Sequence, residues 1–274
     1  MKPEIKICRL CSVKIKNKKK NNFNLGLSPS QSQNLSKNKQ KAKKQIVNLK
    51  LYKCENCNLV QLLNHQSNYY RSSIRSTIVT QKRKEEIRLI FKFIKKKFIK
   101  SNNIIEIGAG RGEYLNLTKK YFKKVIGCEY DGDLIRNKIT NQNILKFYPN
   151  EKNLKLRNKY DGVYCLNFLE HSVNPNKFFQ NIISLLKPGG FIFIEVPNFQ
   201  HMYNNKIFYD FTLEHLSYFD ENSLGKLFHY NNIDIIHKNF TRNKHNIFIL
   251  GKKNNTIYDF GFIVNCLKFF LSAS

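Results

Sequence analysis

Residues 103–113 read N-I-I-E-I-G-A-G-R-G-E, and few folds accommodate such a stretch. Ile104, Ile105 and Ile107 form a short apolar, β-branched run, the pattern of a buried parallel strand. The run stops at Gly108-Ala109-Gly110, with Gly112 two residues on. Glycines allow positive φ and let a ligand approach the backbone, and the helix expected over residues 113–120 would offer amide donors to it. About 20 residues past the first glycine, a second apolar run, V-I-G-C-E, ends in Glu129, followed by Tyr130. A carboxylate at that distance, on the tip of the next strand, suits the two ribose hydroxyls of a nucleoside ligand.

Taken together, Glu106, the three glycines and Glu129 resemble the first two motifs of the class I S-adenosylmethionine (SAM) methyltransferases. The spacing departs from G-x-G-x-x-G, which seats a dinucleotide pyrophosphate. The resemblance implies a doubly wound α/β domain with a seven-stranded, Rossmann-like sheet over residues 80–254. It further implies SAM held by Glu106, Gly108, Ala109, Gly110, Gly112, Glu129, Tyr130 and Asn167. Carboxylates such as Glu106 suit the sulfonium and amino groups of SAM.

The remaining signals follow in the order this fold needs. Residues 80–100 carry Ile87, Ile90, Phe91, Ile94 and Phe98 at helical spacing. Residues 132–140 suit a helix and 144–147 a third strand. Residues 160–167 form a fourth strand running into F-L-E-H, so Asn167, Glu170 and His171 should face the ligand at the strand's carboxyl end. Residues 175–186 read as a helix stopped by Lys187-Pro188-Gly189-Gly190, and residues 191–196 as an apolar strand. A helix over 221–230 and strands over 233–239 and 246–250 would close the sheet.

At the other end, Cys8-x-x-Cys11 and Cys54-x-x-Cys57 offer four thiolates for a tetrahedral zinc site. Four sulfurs leave no open position, so the metal would be structural, stapling a module over residues 1–75. Zinc fits better than disulfides in a chain whose start lacks the apolar core of a secretory signal. Residues 12–53 contain no acidic residue and much Lys, Asn, Ser and Gln, which predicts a basic, mobile insertion over about 12–50. Cys128, Cys165 and Cys266 read as small buried hydrophobes.

The text around the cysteines, C-R-L-C, L-G-L-S-P-S, Y-K-C-E-N-C-N-L-V-Q-L and Y-Y-R-S-S, resembles the zinc-binding domain of the sugar C-methyltransferases. Farther along, F-Y-D-F-T-L-E-H-L-S-Y-F at 208–219 resembles the Y-H-E-H-L-S-Y-F motif of the same family. Thr212 and Leu213 stand where the family has Tyr and His. The resemblance implies catalytic roles for His215 as general base, with Glu214, His171 and Tyr70 beside it. It implies a sugar or nucleotide-sugar substrate, methylated on carbon next to a keto group. Relatives with a looser E-H-L-S-Y-F methylate oxygen, and that alternative stays open. The family continues into a second α/β domain, whereas here an apolar tail over 255–274 is expected. A non-catalytic remnant that still binds SAM is the corresponding rival.

A net charge of +29 invites a nucleic-acid partner. The lysines are spread along the chain, however, and only Phe23 interrupts those of the insertion, so an RNA-binding protein is the weaker reading. No run approaches the ~18 apolar residues of a membrane span, and a cytoplasmic location is the expectation.

Overall fold

The computed structural model describes residues 6–16, 21–30, 37–64, 79–149 and 154–254. Tyr70 with residues 69–73, and the tail from 255 onward with Cys266, lie outside the described residues.

The N-terminal part builds a small sheet. Strands β1 (Asn22–Pro29), β2 (Ile46–Lys53) and β3 (Val60–Leu62) run antiparallel, with helix α1 (Lys39–Lys44) between the first two. This differs from the expectation of an unordered insertion. The composition is polar overall, but Leu49 and Leu51 alternate along β2 and are fully buried. With Phe23, Leu25 and Val47 they form an apolar face that a composition average conceals.

The larger part starts with α2 (Gln81–Lys97), capped by the Thr80 side chain on the Arg83 amide. Its apolar stripe buries Ile87, Phe91 and Ile94 against one sheet face, where the Phe91 ring meets Tyr164 edge-on at 4.9 Å. Burying a ring of that kind contributes about 2–3 kcal/mol. The strands are β4 (Asn103–Ile107), β5 (Lys124–Glu129), β6 (Ile144–Lys146), β7 (Tyr160–Leu166) and β8 (Leu186–Pro197). A short β9 (Ser217–Tyr218) follows, then β10 (Ile233–Thr241) and β11 (Asn246–Lys253). Short helices α3 (Leu115–Thr118) and α4 (Gly132–Arg136), then α5 (Pro175–Ser184), α6 (Phe199–Asn204) and α7 (Glu221–Tyr230), connect them.

Seven strands form one sheet in the order β10-β11-β8-β7-β4-β5-β6, parallel except for β11, which is antiparallel to both neighbours. This is the seven-stranded Rossmann-like arrangement the motifs imply. The reversal of order between β4 and β7 opens a crevice at their carboxyl ends. Among the described residues no helix is long and apolar enough to cross a membrane.

Two segments differ locally from the pattern. The helix after the glycine loop shrinks to α3, because Gly112 and the turn after it use up its first residues. The K-P-G-G tetrapeptide does not merely end α5: it enters β8, and the register with β7 shifts between Tyr160 and Gly162. The Phe191 ring fills the space a Cβ at Gly162 would occupy.

The two parts share a sheet and a core. Strand β9 supplies the fourth strand of the N-terminal sheet, pairing Val60 with Tyr218 and Gln61 with Ser217. Cys8, Leu10, Cys54 and Cys57 belong to the same apolar cluster as Phe219, Leu224 and Phe228.

Candidate functional site

The glycine loop sits at the carboxyl end of β4. Gly108, Gly110 and Gly112 all have positive φ, at 74°, 55° and 87°. A Cβ on Gly108 would overlap the Phe168 ring, and one on Gly112 the Thr140 side chain. The loop's amides are already engaged. Those of Gly108 and Ala109 donate to the Cys128 carbonyl at 3.0 Å, and Gly112 donates to Ala109 at 2.8 Å. The loop itself therefore offers a ligand shape and close approach.

Glu129 braces this loop from β5. One carboxylate oxygen accepts from the Gly110 amide at 2.9 Å, the other from Tyr130 at 2.7 Å and Asp131 at 3.1 Å. Two oxygens with about four lone-pair sites still have room for a hydroxyl. Burial raises its pKa above the usual carboxylate range, and the three amides oppose that shift. Glu106, on β4, is 2% exposed, and burial raises its carboxyl well above the ordinary value. It accepts from the Tyr164 hydroxyl at 2.9 Å. Tyr130 is the exposed member of the set, its side chain open to solvent.

Asn167 ends β7 in the left-handed region, at φ 51°. Its amide donates to the Glu195 carbonyl at 2.8 Å, and its side-chain oxygen accepts from Asn246 at 3.1 Å. Beneath it lies a network that sequence reasoning missed. The buried Arg83 guanidinium pairs with Glu195, which also accepts from Asn246 at 2.7 Å. The only sequence hint was a carboxylate in the otherwise apolar β8.

The E-H-L-S segment and the end of β7 come together here. The rings of His171 and His215 lie 4.8 Å apart between centroids. Each Nδ1 faces a backbone carbonyl at 2.9 Å: His171 that of Glu214, and His215 that of Asp210. A carbonyl only accepts, so Nδ1 carries the hydrogen and Nε2 keeps its lone pair. Burial lowers both pKa values, that of His171 to about 3. Glu170 stands 3.8 Å from Nε2 of His171, and burial pushes its carboxyl up to about 8. Glu214 is buried as well and contributes its carbonyl, rather than its carboxylate, to the hydrogen bond with His171. The arrangement sets two imidazoles, whose pKa values burial lowers, beside a carboxyl whose pKa burial raises.

The four cysteines converge too. Cys8 and Cys57 sulfurs are 3.5 Å apart, Cys11 and Cys54 sulfurs 3.6 Å, and all four lie within 4.8 Å of one another. A tetrahedral zinc with bonds of about 2.3 Å needs sulfurs about 3.8 Å apart. The two loops share one geometry. Ser12 and Asn58 follow their pairs with φ of 60° and 64°. Their amides donate back to Cys8 and Cys54 at 2.9 Å. Burial raises the Cys54 thiol to about 11, while a hydrogen bond from Cys57 holds Cys8 near 5. A bound cation is what would let all four ionise together. The donor set fits the metal.

Residues 79–238, more than half of the chain, match the family model of the methyltransferase domain. The chain belongs to that family. The match runs from just before α2 into β10, so it takes in the glycine loop, Glu129, Asn167 and the histidine pair. An uncharacterized protein of Methanocaldococcus jannaschii is 31% identical over 132 residues, which are 48% of this chain and 56% of that protein. Ubiquinone biosynthesis O-methyltransferase of Shewanella halifaxensis is 43% identical over 42 residues, 15% of this chain and 18% of that one. The chain thus spans about half the length of the first relative and less of the second.

Among solved structures, a Pyrococcus horikoshii protein superposes with a TM-score of 0.54 at 14% identity, covering 69% of this chain and 99% of its own. An S-adenosylmethionine-dependent methyltransferase from Clostridium acetobutylicum gives 0.51 at 13% identity, covering 64% and 93%. At such identities the likeness is one of fold. It agrees with the methyltransferase domain assigned from the family match.

Proposed function

We propose that this methyltransferase uses SAM to methylate a sugar or nucleotide-sugar on the carbon next to a keto group. The cofactor would lie on the glycine loop between Glu106 and Glu129, with Asn167 at its reacting end. The observation that carries the reading is His215: a half-buried imidazole whose pKa burial lowers, whose Nδ1 is fixed on Asp210 and whose neighbour across the site is His171. Such a group suits proton abstraction near neutral pH.

SAM supplies a methyl group on a sulfonium, whose carbon–sulfur electrons stay with sulfur when the methyl leaves. His215 takes the proton next to the keto group, and the C–H electron pair becomes the enolate that forms the new C–C bond. His171 and Glu170 bound the site on the far side, and the proton leaves His215 to solvent after transfer. Most of the acceleration would come from holding carbon and methyl aligned near 3 Å in a dry pocket. Tyr70, outside the described residues, belongs to this proposal through the sequence resemblance alone.

A second reading has one observation in its favour. Thr212 and Leu213 replace the Tyr and His of the sugar C-methyltransferase motif, while the second histidine, His215, is retained. The same base would then deprotonate a hydroxyl, and oxygen would receive the methyl. Cys8, Cys11, Cys54 and Cys57 would hold structural zinc in either case.

The deciding experiment incubates the protein with S-adenosylhomocysteine and keto-sugar nucleotides in deuterium oxide. Exchange at the carbon next to the keto group, lost in His215→Gln, supports C-methylation. No exchange, with methyl transfer from SAM to a hydroxyl sugar, supports the oxygen reading. Neither exchange nor transfer would sink both.

A further inference from the structure

Asp210 closes the 3-10 turn Phe208–Asp210. His245 ends the turn from β10 to β11, far away in sequence, yet its Nε2 lies 2.9 Å from Oδ2 of Asp210. The approach is oblique and leaves Oδ2 without an aligned hydrogen-bond donor. The contact is not a linear hydrogen bond, and it becomes one of charge when His245 carries a proton. Both side chains are about four-fifths buried, at 19% and 21% exposure, where solvent screens charge weakly.

The turn that delivers His245 is unusual. Arg242, Asn243 and Lys244 are consecutive non-glycine residues with φ of 50°, 57° and 70°. Such conformations are unfavourable for residues with a Cβ. The surroundings hold them in place. The Asn198 amide donates to the His245 carbonyl at 2.8 Å, and the Asn198 side chain to the Lys244 carbonyl at 3.1 Å. Asn198 also bridges to Phe219, at the end of the E-H-L-S-Y-F segment. Strain fixed in this way clusters where a side chain must be aimed.

We infer that Asp210 and His245 are positioning residues for His215: the Asp210 carbonyl orients its ring, and the Asp210–His245 charge pair tunes its basicity. The inference rests on the reading of His215 as the base. Asp210 touches His215 only through its backbone, so its carboxylate acts across space. A negative charge there favours the imidazolium, and a proton on His245 disfavours it. The other titratable groups facing His215 are His171 and Glu170 from the turn after β7, Glu214 beside it, and Tyr218 from β9, with ring centroids 6.1 Å apart. His245 itself faces the His201 ring, with centroids 6.0 Å apart.

The two substitutions should therefore act in opposite directions. Asp210→Asn keeps the carbonyl and removes the charge. His245→Gln keeps a polar side chain and removes the imidazole. Histidine side-chain resonances of the full-length protein would be followed against pH, with His215 assigned from the His215→Gln spectrum. The expected result is a His215 midpoint lower in Asp210→Asn and higher in His245→Gln, each by on the order of one unit. Midpoints that stay put in folded protein, or move in the same direction, would overturn the inference. Should Asp210→Asn fail to fold, His245→Gln decides alone, by a rise or its absence. Because the readout is a titration, it separates from the catalytic reading. Opposed shifts without any methyl transfer would leave the charge pair standing and the base assignment lost.

Discussion

The Arg83 guanidinium and the Glu195 carboxylate form an ion pair between α2 and the carboxyl end of β8, with Glu195 fully buried. It ties α2 to β8 just below Asn167, whose amide bonds the Glu195 carbonyl and whose side chain shares Asn246 with the Glu195 carboxylate. A scaffold helix is thereby coupled to the reacting end of the proposed cofactor cleft.

Breaking that pair from one side should be costly. Arg83→Met leaves Glu195 buried with only Asn246 as partner, and the predicted loss is about 3–5 kcal/mol of unfolding free energy. Replacing both residues with apolar side chains of similar volume should restore most of it. Denaturant melts of the single and double variants check this, and a single variant as stable as the parent would contradict it.

The glycine loop predicts a different loss. At Gly108 a side chain meets both a positive φ and the Phe168 ring. Gly108→Ala should cost about 1–2 kcal/mol in stability from the backbone alone. It should weaken S-adenosylhomocysteine binding further by displacing Phe168. Unchanged affinity would show that the loop does not cradle the ligand.

Stability should depend on pH through the site's own groups. His171, at about 3 in the fold against 6.5 when unfolded, adds stability that is fully present above 6.5 and lost as pH falls below it. Glu170, raised from 4.5 to about 8, adds stability that is present below 4.5 and lost as pH rises toward 8. Each slope is about 1.4 kcal/mol per pH unit, and the two cancel between 4.5 and 6.5. Glu170→Gln should therefore raise the melting temperature relative to the parent more at pH 8 than at pH 5. An equal change at both values would mean that Glu170 is not held protonated.

The cysteine cluster makes a prediction about composition. Purified protein should contain one zinc ion per chain, and Cys54→Ser should lower that content. Metal loss should also loosen β9, because β3, which follows the second cysteine pair directly, is its partner in the shared sheet. Amide exchange at Val60 and Tyr218 before and after chelation reads this directly. Slow exchange that survives chelation would make the metal irrelevant to the site.

The sequence made the scaffold readable because its signals are local. Ile104 to Ile107 ending in glycine, and Phe91 one turn from Ile87 and Ile94, fix strand and helix through a short apolar run and a period of 3.6. The histidine pair was half legible. Motif text singled out His171 and His215, but their mutual contact needs two chain segments brought together. Asp210, His245, Arg83 and Asn246 act only through tertiary neighbours, and no spacing marks them. The basic insertion misled for the opposite reason. Its average composition is polar, while the alternation of Leu49 and Leu51 that builds β2 is confined to a few residues.

The central claim is that the glycine loop of this methyltransferase domain holds SAM. Isothermal titration of the purified protein with SAM and S-adenosylhomocysteine tests it most directly, with Gly110→Arg as the control. Micromolar binding of both ligands is expected, and none to the control, where an added side chain falls on a backbone at φ 55°. Absence of binding to the folded parent protein, or equal binding to the control, would contradict it.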